Sequence, residues 1–183
     1  MTRNDKILKI IKAGEVPVLP FELDVAQNQL EEYKNEQDAL GEDLGNAMRQ
    51  SSETWHDNAP AEALSYASKI LTERAKALLS LIDNAVVFDL PAKHSNEVTL
   101  GSLVGVLVDG DAQITVGLVG AIRELPIDIQ RGVENLAGFQ VATISSPMGA
   151  ALLGLKLHQS GSFLTPQGSK KQIVITSIGA ICE

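Results

Sequence analysis

Glu53-Thr54-Trp55-His56-Asp57-Asn58-Ala59-Pro60-Ala61-Glu62 separates the two longest helical patterns in the chain. Upstream, Leu23 to Gln50 carries a heptad. Leu23, Leu30, Gln37 and Leu44 fall at one core position, and Ala26, Tyr33, Leu40 and Ala47 at the other, with the alternating three- and four-residue spacing of a coiled-coil seam. Downstream, Leu64, Ala67, Leu71, Ala75, Leu78, Ile82 and Ala85 recur at three or four residues, which predicts a second helix over Ala61 to Ala85. Asp57 or Asn58 can cap that helix, and Pro60 fits its first turn, where a missing N–H costs nothing. Long helices joined by a short connection pack antiparallel. The spacing thus predicts an antiparallel α-helical coiled-coil hairpin over 21–85, with its tip at 51–60. Gly41 and Gly45 each cost about 1 kcal/mol relative to Ala in a helix, and small residues there suit a close helix approach.

Beyond Val86 the periodicity turns strand-like. Val98–Leu100, Leu103–Val108, Gln113–Val119, Gln140–Ile144 and Gln172–Ile178 are rich in β-branched residues, and Asp109-Gly110-Asp111 is a hairpin turn signal. Pro126 to Gly138 reads as a loop or helical insertion. Ser145 to Gly154 reads as a short helix with Ser as cap, Pro in the first turn and Gly as stop. The expected fold class is α+β: the hairpin, then a small antiparallel sheet with a helix over 86–183. Residues 1–20 form an N-terminal extension. Ile7, Leu8, Ile10 and Ile11 alternate with lysines as in a short amphipathic helix, which Gly14, Pro17 and Pro20 end. It is expected to pack on the rest of the chain.

The 183 residues carry 15 basic and 23 acidic side chains, a net charge of −8. Eleven of the acids lie between Glu22 and Glu62, against only Lys34 and Arg49. This balance opposes nonspecific binding to the outside of nucleic acid and suits a solvated helical face. The single cysteine, Cys182, excludes a disulfide framework within one chain and fits a reducing cytoplasm. No apolar run approaches the ~20 residues that span a bilayer, so no membrane partner is expected. P-loop, dinucleotide and Gly-x-Ser-x-Gly signatures are absent, and His56, His94 and His158 are scattered. No self-contained active site emerges. What remains is carboxylate chemistry: Glu53, Asp57 and Glu62 are hard oxygen ligands suited to Mg²⁺, but too few to hold it without a partner. The alternative is that Asp57 is a helix cap and the other acids are solvated.

The segment Ile144-Ser145-Ser146-Pro147-Met148-Gly149-Ala150-Ala151-Leu152-Leu153-Gly154 resembles the strand and Ser-Pro helix of the Gre transcription elongation factors. Thr165-Pro166-Gln167-Gly168 with Ile173-Val174-Ile175 is similar to that family's Pro-Gly turn and last strand, and Asn84 to Asp89 to its junction after the second helix. The similarity runs from about Leu23 to Ile178. It implies an FKBP-like C-terminal domain and a monomeric, cytoplasmic factor that binds bacterial RNA polymerase. The hairpin would enter the secondary channel and stimulate cleavage of backtracked RNA. Such a factor is no enzyme alone and holds no cofactor stably. It shares Mg²⁺ with the polymerase active site, where two ions activate water and stabilise phosphate charge.

The family tip, Asp-x-x-Glu-Asn-Ala, corresponds here to Thr54-Trp55-His56-Asp57-Asn58-Ala59. Asp57 keeps a carboxylate where the family has Glu, Thr54 lacks the one expected of Asp, and Glu53 stands beside it. The implied catalytic residues are Asp57 and Glu53, with Glu62 a further ligand of the shared Mg²⁺. Ser145, Ser146, Pro147 and Trp55 are the implied polymerase contacts, Ser146 being equally a helix cap. Lys69, Arg74 and Lys76 would meet the nascent RNA 3′ end, or are ordinary surface cations. The altered tip keeps a second reading open, a non-cleaving channel regulator. A third is an FKBP-like interaction module, although seven aromatic residues in the whole chain are few for a prolyl-isomerase pocket.

Overall fold

The computed structural model describes residues 1–50, 59–91, 95–136 and 138–181. They divide into two compact units, Met1–Val25 with Asn84–Glu183, and Ala26–Asp83. In chain order the elements are α1 (Arg3–Lys12), β1 (Val16–Val18), α2 (Pro20–Gln50), α3 (Ala59–Asp83), β2 (Ala85–Val87), β3 (Ser102–Val108), β4 (Ala112–Val119), α4 (Ile127–Val133), β5 (Gln140–Thr143), α5 (Pro147–Leu152), β6 (Ser160–Leu164) and β7 (Lys170–Ala180). The class is mixed α+β.

Ala26–Asp83 consists of most of α2 together with α3. At 31 residues, α2 is about 46 Å long. Gln37 Nε2 donates to Ser68 Oγ. Tyr33 and Lys34 share a groove with Ala75, Lys76 and Leu79, whereas Met48 shares one with Ala61, Glu62 and Tyr66. Contacts therefore run in opposite directions along the two helices. Gly41 and Gly45 do not serve a close approach: a Cβ at Gly41 would meet nothing within 4 Å, and one at Gly45 only the Arg49 side chain of its own helix.

The other unit is built on a five-stranded sheet in the order β5-β4-β3-β7-β6. The sheet is mixed rather than antiparallel, because β5 runs parallel to β4 with Gly117 opposite Val141. A parallel pair needs a crossover, and residues 120–139 with α4 supply it. β3 pairs antiparallel with β4 and β7, and its register with β7 shifts between Gly105 and Val106. A Cβ on Gly105 would lie 2.3 Å from Ser177 Oγ and 2.7 Å from Thr176 Oγ1, so a side chain at the irregularity would require those hydroxyls to turn away. The β3–β4 turn has Asp109 at φ 53 and Gly110 at φ 82, as a tight hairpin requires.

Three departures from the sequence expectation stand out. Val98–Leu100 is no strand. Its backbone is met by the segment after α5, with Val98 N–H donating to Leu155 and Gly154 N–H to Val98. Its apolar residues are simply core. β6, Ser-Gly-Ser-Phe-Leu, lacks the β-branched content that marks strands, yet it pairs with β7 throughout. The N-terminal extension pairs β1 with β2 in parallel. Pro17 is tolerated in that pair because the flanking bonds come from Val16 N–H and Val18 C=O.

Ile7, Leu19, Leu100, Leu118, Leu152, Ile173 and Ile175 are fully buried in one cluster of this unit. Each contributes about 1.5–3 kcal/mol by leaving water. Residue 7 is thus as much core as the sheet.

Candidate functional site

The tip residues Glu53, Thr54, Trp55 and Asp57 lie outside the described residues, as do the caps Asp57 and Asn58. Glu62 is described. It stands exposed in the first turn of α3, beside the buried Ala61. Acids are favoured at a helix N-terminus by the dipole, so its position has a structural reason as well as a chemical one. Among the described residues no group of three or more His, Cys, Asp or Glu side chains could hold a metal ion. Glu62 fits the part of one ligand in a site that others complete, and no more.

The three candidate RNA-contacting cations are all exposed on α3, but they do not form one patch. Lys69 and Lys76 are seven residues apart and share a face. Arg74 lies about 140° around the helix from Lys69 and faces away from both. Lys69 shares a groove with Glu62, Tyr66 and Met48. Lys76 Nζ is 2.9 Å from Glu73 Oε1, but an exposed pair of this kind is worth only about 0–1 kcal/mol and does not withdraw the ammonium from other anions.

In the sheet-bearing unit, Ser145, Ser146 and Pro147 join β5 to α5. Ser146 is the N-cap of α5: its Oγ accepts from Gly149 N–H at 3.1 Å and donates to Thr143 C=O at 2.7 Å. Pro147 occupies the first helical position, where its ring is preset for the helix. Gly149 is forced by proximity, since a Cβ there would lie 2.0 Å from Thr143 O. Ser145 is exposed, with its Oγ 3.2 Å from Thr143 Oγ1. The loop is thus rigid from below and open from above. Its Ser146 hydroxyl is spent on the cap, whereas Ser145 and Pro147 face solvent. Beside it, Ser146, Pro147, Met148, Phe163 and Arg123 help line a groove of about 220 Å³.

Sequence reasoning placed Glu22 in a solvated acidic run. The structure buries it completely, with both carboxylate oxygens on backbone amides. Its only advance signal was its place three residues after Leu19, at a helix start. The extension held a second unnoticed set. Asn4 Nδ2 donates to Val98 C=O at 3.0 Å, and Arg3 reaches the Asp89 and Leu100 carbonyls while lying over the Phe88 ring.

No protein-family model matches the chain. Among curated proteins it is similar to the transcription elongation factor GreA of Mycobacteroides abscessus, 33% identical over 104 residues, which is 57% of this chain and 58% of that protein. GreA of Mycolicibacterium smegmatis and of Mycobacterium tuberculosis are each 31% identical over the same length. The match thus spans less than two thirds of these relatives. Among solved structures, GreA factor homolog 1 of Thermus thermophilus aligns at a TM-score of 0.40 and 22% identity, over 91% of this chain and 99% of that one. GreA/GreB of Nitrosomonas europaea aligns at 0.34 and 22%, over 64% and 92%. These curated relatives are transcription elongation factors GreA, and the similarity to them covers 104 residues of this chain.

Proposed function

We propose that this protein is a transcription elongation factor that acts on bacterial RNA polymerase. The observation that carries the reading is the 33% identity to GreA over 104 residues. In this reading α2 and α3 form a coiled-coil hairpin that enters the secondary channel. The sheet-bearing unit is an FKBP-like docking domain, which presents Ser145 and Pro147 to the polymerase. Ser146 holds that loop in shape, and Trp55 adds a contact at the tip. The protein works as a monomer in the cytoplasm.

Asp57, with Glu53 or Glu62, would hold the second Mg²⁺ of the polymerase's own active site, the ion supplying an activated water and charge stabilisation at the scissile phosphate. The chain's part is to bring carboxylates to that point, and Lys69 and Lys76, on one face of α3, would meet the RNA 3′ end. Arg74, on another face, would need a different stretch of RNA or polymerase. The factor supplies ligands and the polymerase supplies the catalytic centre, so no activity is expected of it alone. Thr54 favours one competing reading. With a hydroxyl where the Gre pattern has a carboxylate, the tip would occupy the channel and regulate without cleaving.

Charge reversal separates the two. Stalled elongation complexes are mixed with wild type, Asp57→Lys and Glu53→Lys, and both RNA cleavage and polymerase binding are followed. A cleaving factor should lose cleavage on reversal, by about tenfold or more, and keep its binding. Cleavage unchanged by both substitutions would remove the metal-holding role. Wild-type binding without cleavage would leave the channel regulator, and no binding at all would overturn the assignment.

A further inference from the structure

Along α3, Ala63, Tyr66, Ile70, Glu73 and Ala77 recur at three and four residues, so they share one side of the helix. A different side carries Leu64, Leu71, Ala75, Leu78 and Ile82, all buried or half-buried. The first stripe faces solvent. Tyr66 is 68% and Ile70 37% exposed, and Ala63, Glu73 and Ala77 are exposed with them. A helix of a two-helix hairpin needs one apolar stripe, and α3 has two. An aromatic and a branched residue at seam spacing, flanked by alanines that admit a close neighbour, suit contact with a further helix.

The charges along the edge of the stripe decide which helix. Glu62, Lys69, Glu73 and Lys76 are all exposed and lie on one flank, alternating in sign. When a second α3 is set antiparallel to the first with a twofold axis at Ile70, residues equally far before and after Ile70 face each other. Glu62 then falls beside Lys76 and Lys69 beside Glu73, twice each, and every charge on the flank meets its opposite. Ala63 falls against Ala77, and Tyr66 against Arg74, whose guanidinium can stack on the ring. This gives a partner to the cation that faces away from Lys69 and Lys76. A parallel pair would instead set each charge beside its own copy, like against like. The Lys76–Glu73 contact within the helix is exposed and weak, so it does not withhold these charges.

We propose that α3 is a self-association face, covered in the free protein by the same stripe of a second copy running antiparallel about Ile70. Such a contact uses the same patch on both copies and closes at two. It occupies Glu62, Lys69 and Lys76, residues assigned work at the polymerase. The dimer is therefore a resting form, and the factor works after separating into monomers. That regulatory role rests on the reading of α3 as part of an arm that acts in the polymerase. The dimer itself does not.

Sedimentation of the full chain with Cys182→Ser, in which no disulfide can join two copies, reads the association directly. A monomer–dimer equilibrium is expected, weaker at high salt because exposed ion pairs are screened. Ile70→Lys sets two ammonium groups at the axis and should raise the dissociation constant by about tenfold or more. Lys69→Glu should weaken the dimer by facing Glu73 with its own sign. Adding Glu73→Lys to Lys69→Glu should restore it, which a merely structural loss would not allow, and circular dichroism checks that each variant keeps its helices. For orientation, Ala63→Cys mixed with Ala77→Cys should cross-link on oxidation. Ala63→Cys alone should not, its two copies lying about 21 Å apart along the axis. A wild type that sediments as a monomer at every concentration overturns the proposal. So does a dimer indifferent to Ile70→Lys, or one that cross-links through Ala63→Cys alone. With polymerase, Ile70→Lys should bind at lower total concentration than wild type, and a dimer that stays intact on the polymerase overturns the resting role. A wild type that never binds polymerase refutes the functional reading of the arm, and sedimentation still decides the dimer.

Discussion

At the scale of single residues, local geometry separates structural duties from functional ones. Ser146 and Ser145 are adjacent, yet only Ser146 caps α5. Ser146→Ala should cost about 1 kcal/mol, read from a urea unfolding midpoint. Ser145→Ala should leave that midpoint unchanged and weaken polymerase association in a pull-down titration. Asp109 offers a pH signature. Its Oδ2 lies 2.6 Å from Lys171 Nζ and its Oδ1 accepts from Gln172 N–H. The Lys171 hydrogen bond foremost, then that of Gln172, holds this carboxyl below its ordinary value of 3.8. A depressed carboxyl stabilises the fold above its unfolded pKa and loses that contribution as pH falls through the folded value. The midpoint difference between wild type and Asp109→Asn should therefore hold from neutral pH to about pH 5 and vanish in stronger acid. Asn is the fair comparison, because it tolerates the positive φ at this turn. A difference that grew on acidification would refute the assignment.

Among the elements, α2 is the one whose sequence works against its structure. Gly41 and Gly45 lie in the helix interior; a Cβ at Gly41 would enter open space, and one at Gly45 would make only an ordinary contact with the Arg49 side chain. Each Gly→Ala change should stabilise by up to about 1 kcal/mol, seen as a rise in melting temperature with no change in helix content at the start of the melt. Destabilisation instead would mean that these glycines meet something during function or folding that the folded chain does not show. Gln37 is the polar member of the seam pattern. Its Nε2 is paired with Ser68 while its Oε1 is buried without a partner. A polar group in such a seam costs stability and specifies register.

For the molecule as a whole, the N-terminal segment matters more than its distance from the Gre resemblance suggests. Ile7 is wholly buried in the core shared with Leu100, Leu152 and Ile175. Ile7→Ala should cost about 2–5 kcal/mol in chemical denaturation, and the loss should appear in hydrogen exchange of β3 and β7, in whose core Ile7 lies. A loss confined to α1 would show the segment to be an appendage. Charge is likewise a property of the whole. The acids between Glu22 and Glu62 looked like one solvated set, yet Glu22 is removed from it by burial. Among the described residues no helix is long and apolar enough to cross a membrane.

What could be read in advance was whatever depends on neighbours in sequence. The heptad marked α2, the three- and four-residue repeat marked α3, β-branched content marked β3, β4 and β7, Asp109-Gly110 marked the hairpin, and Ser146-Pro147 marked the start of α5. In each case the deciding contacts lie within a few residues. The parallel β4–β5 pair, the β1–β2 pair, the buried non-strand at Val98–Leu100 and the weakly patterned β6 were illegible, because distant partners satisfy their backbone groups. The site divided in the same way. The Ser146 cap is local and was foreseen, and the spread of Lys69, Lys76 and Arg74 over two faces follows from their spacing on the predicted helix, whereas the Lys76–Glu73 pair is seen only in the structure. Glu22 is the clearest case: in sequence it is one acid among eleven, and only the fold brings Gly120, Ala121 and Ile122 to its carboxylate, because a buried charge takes whatever donors the tertiary structure delivers.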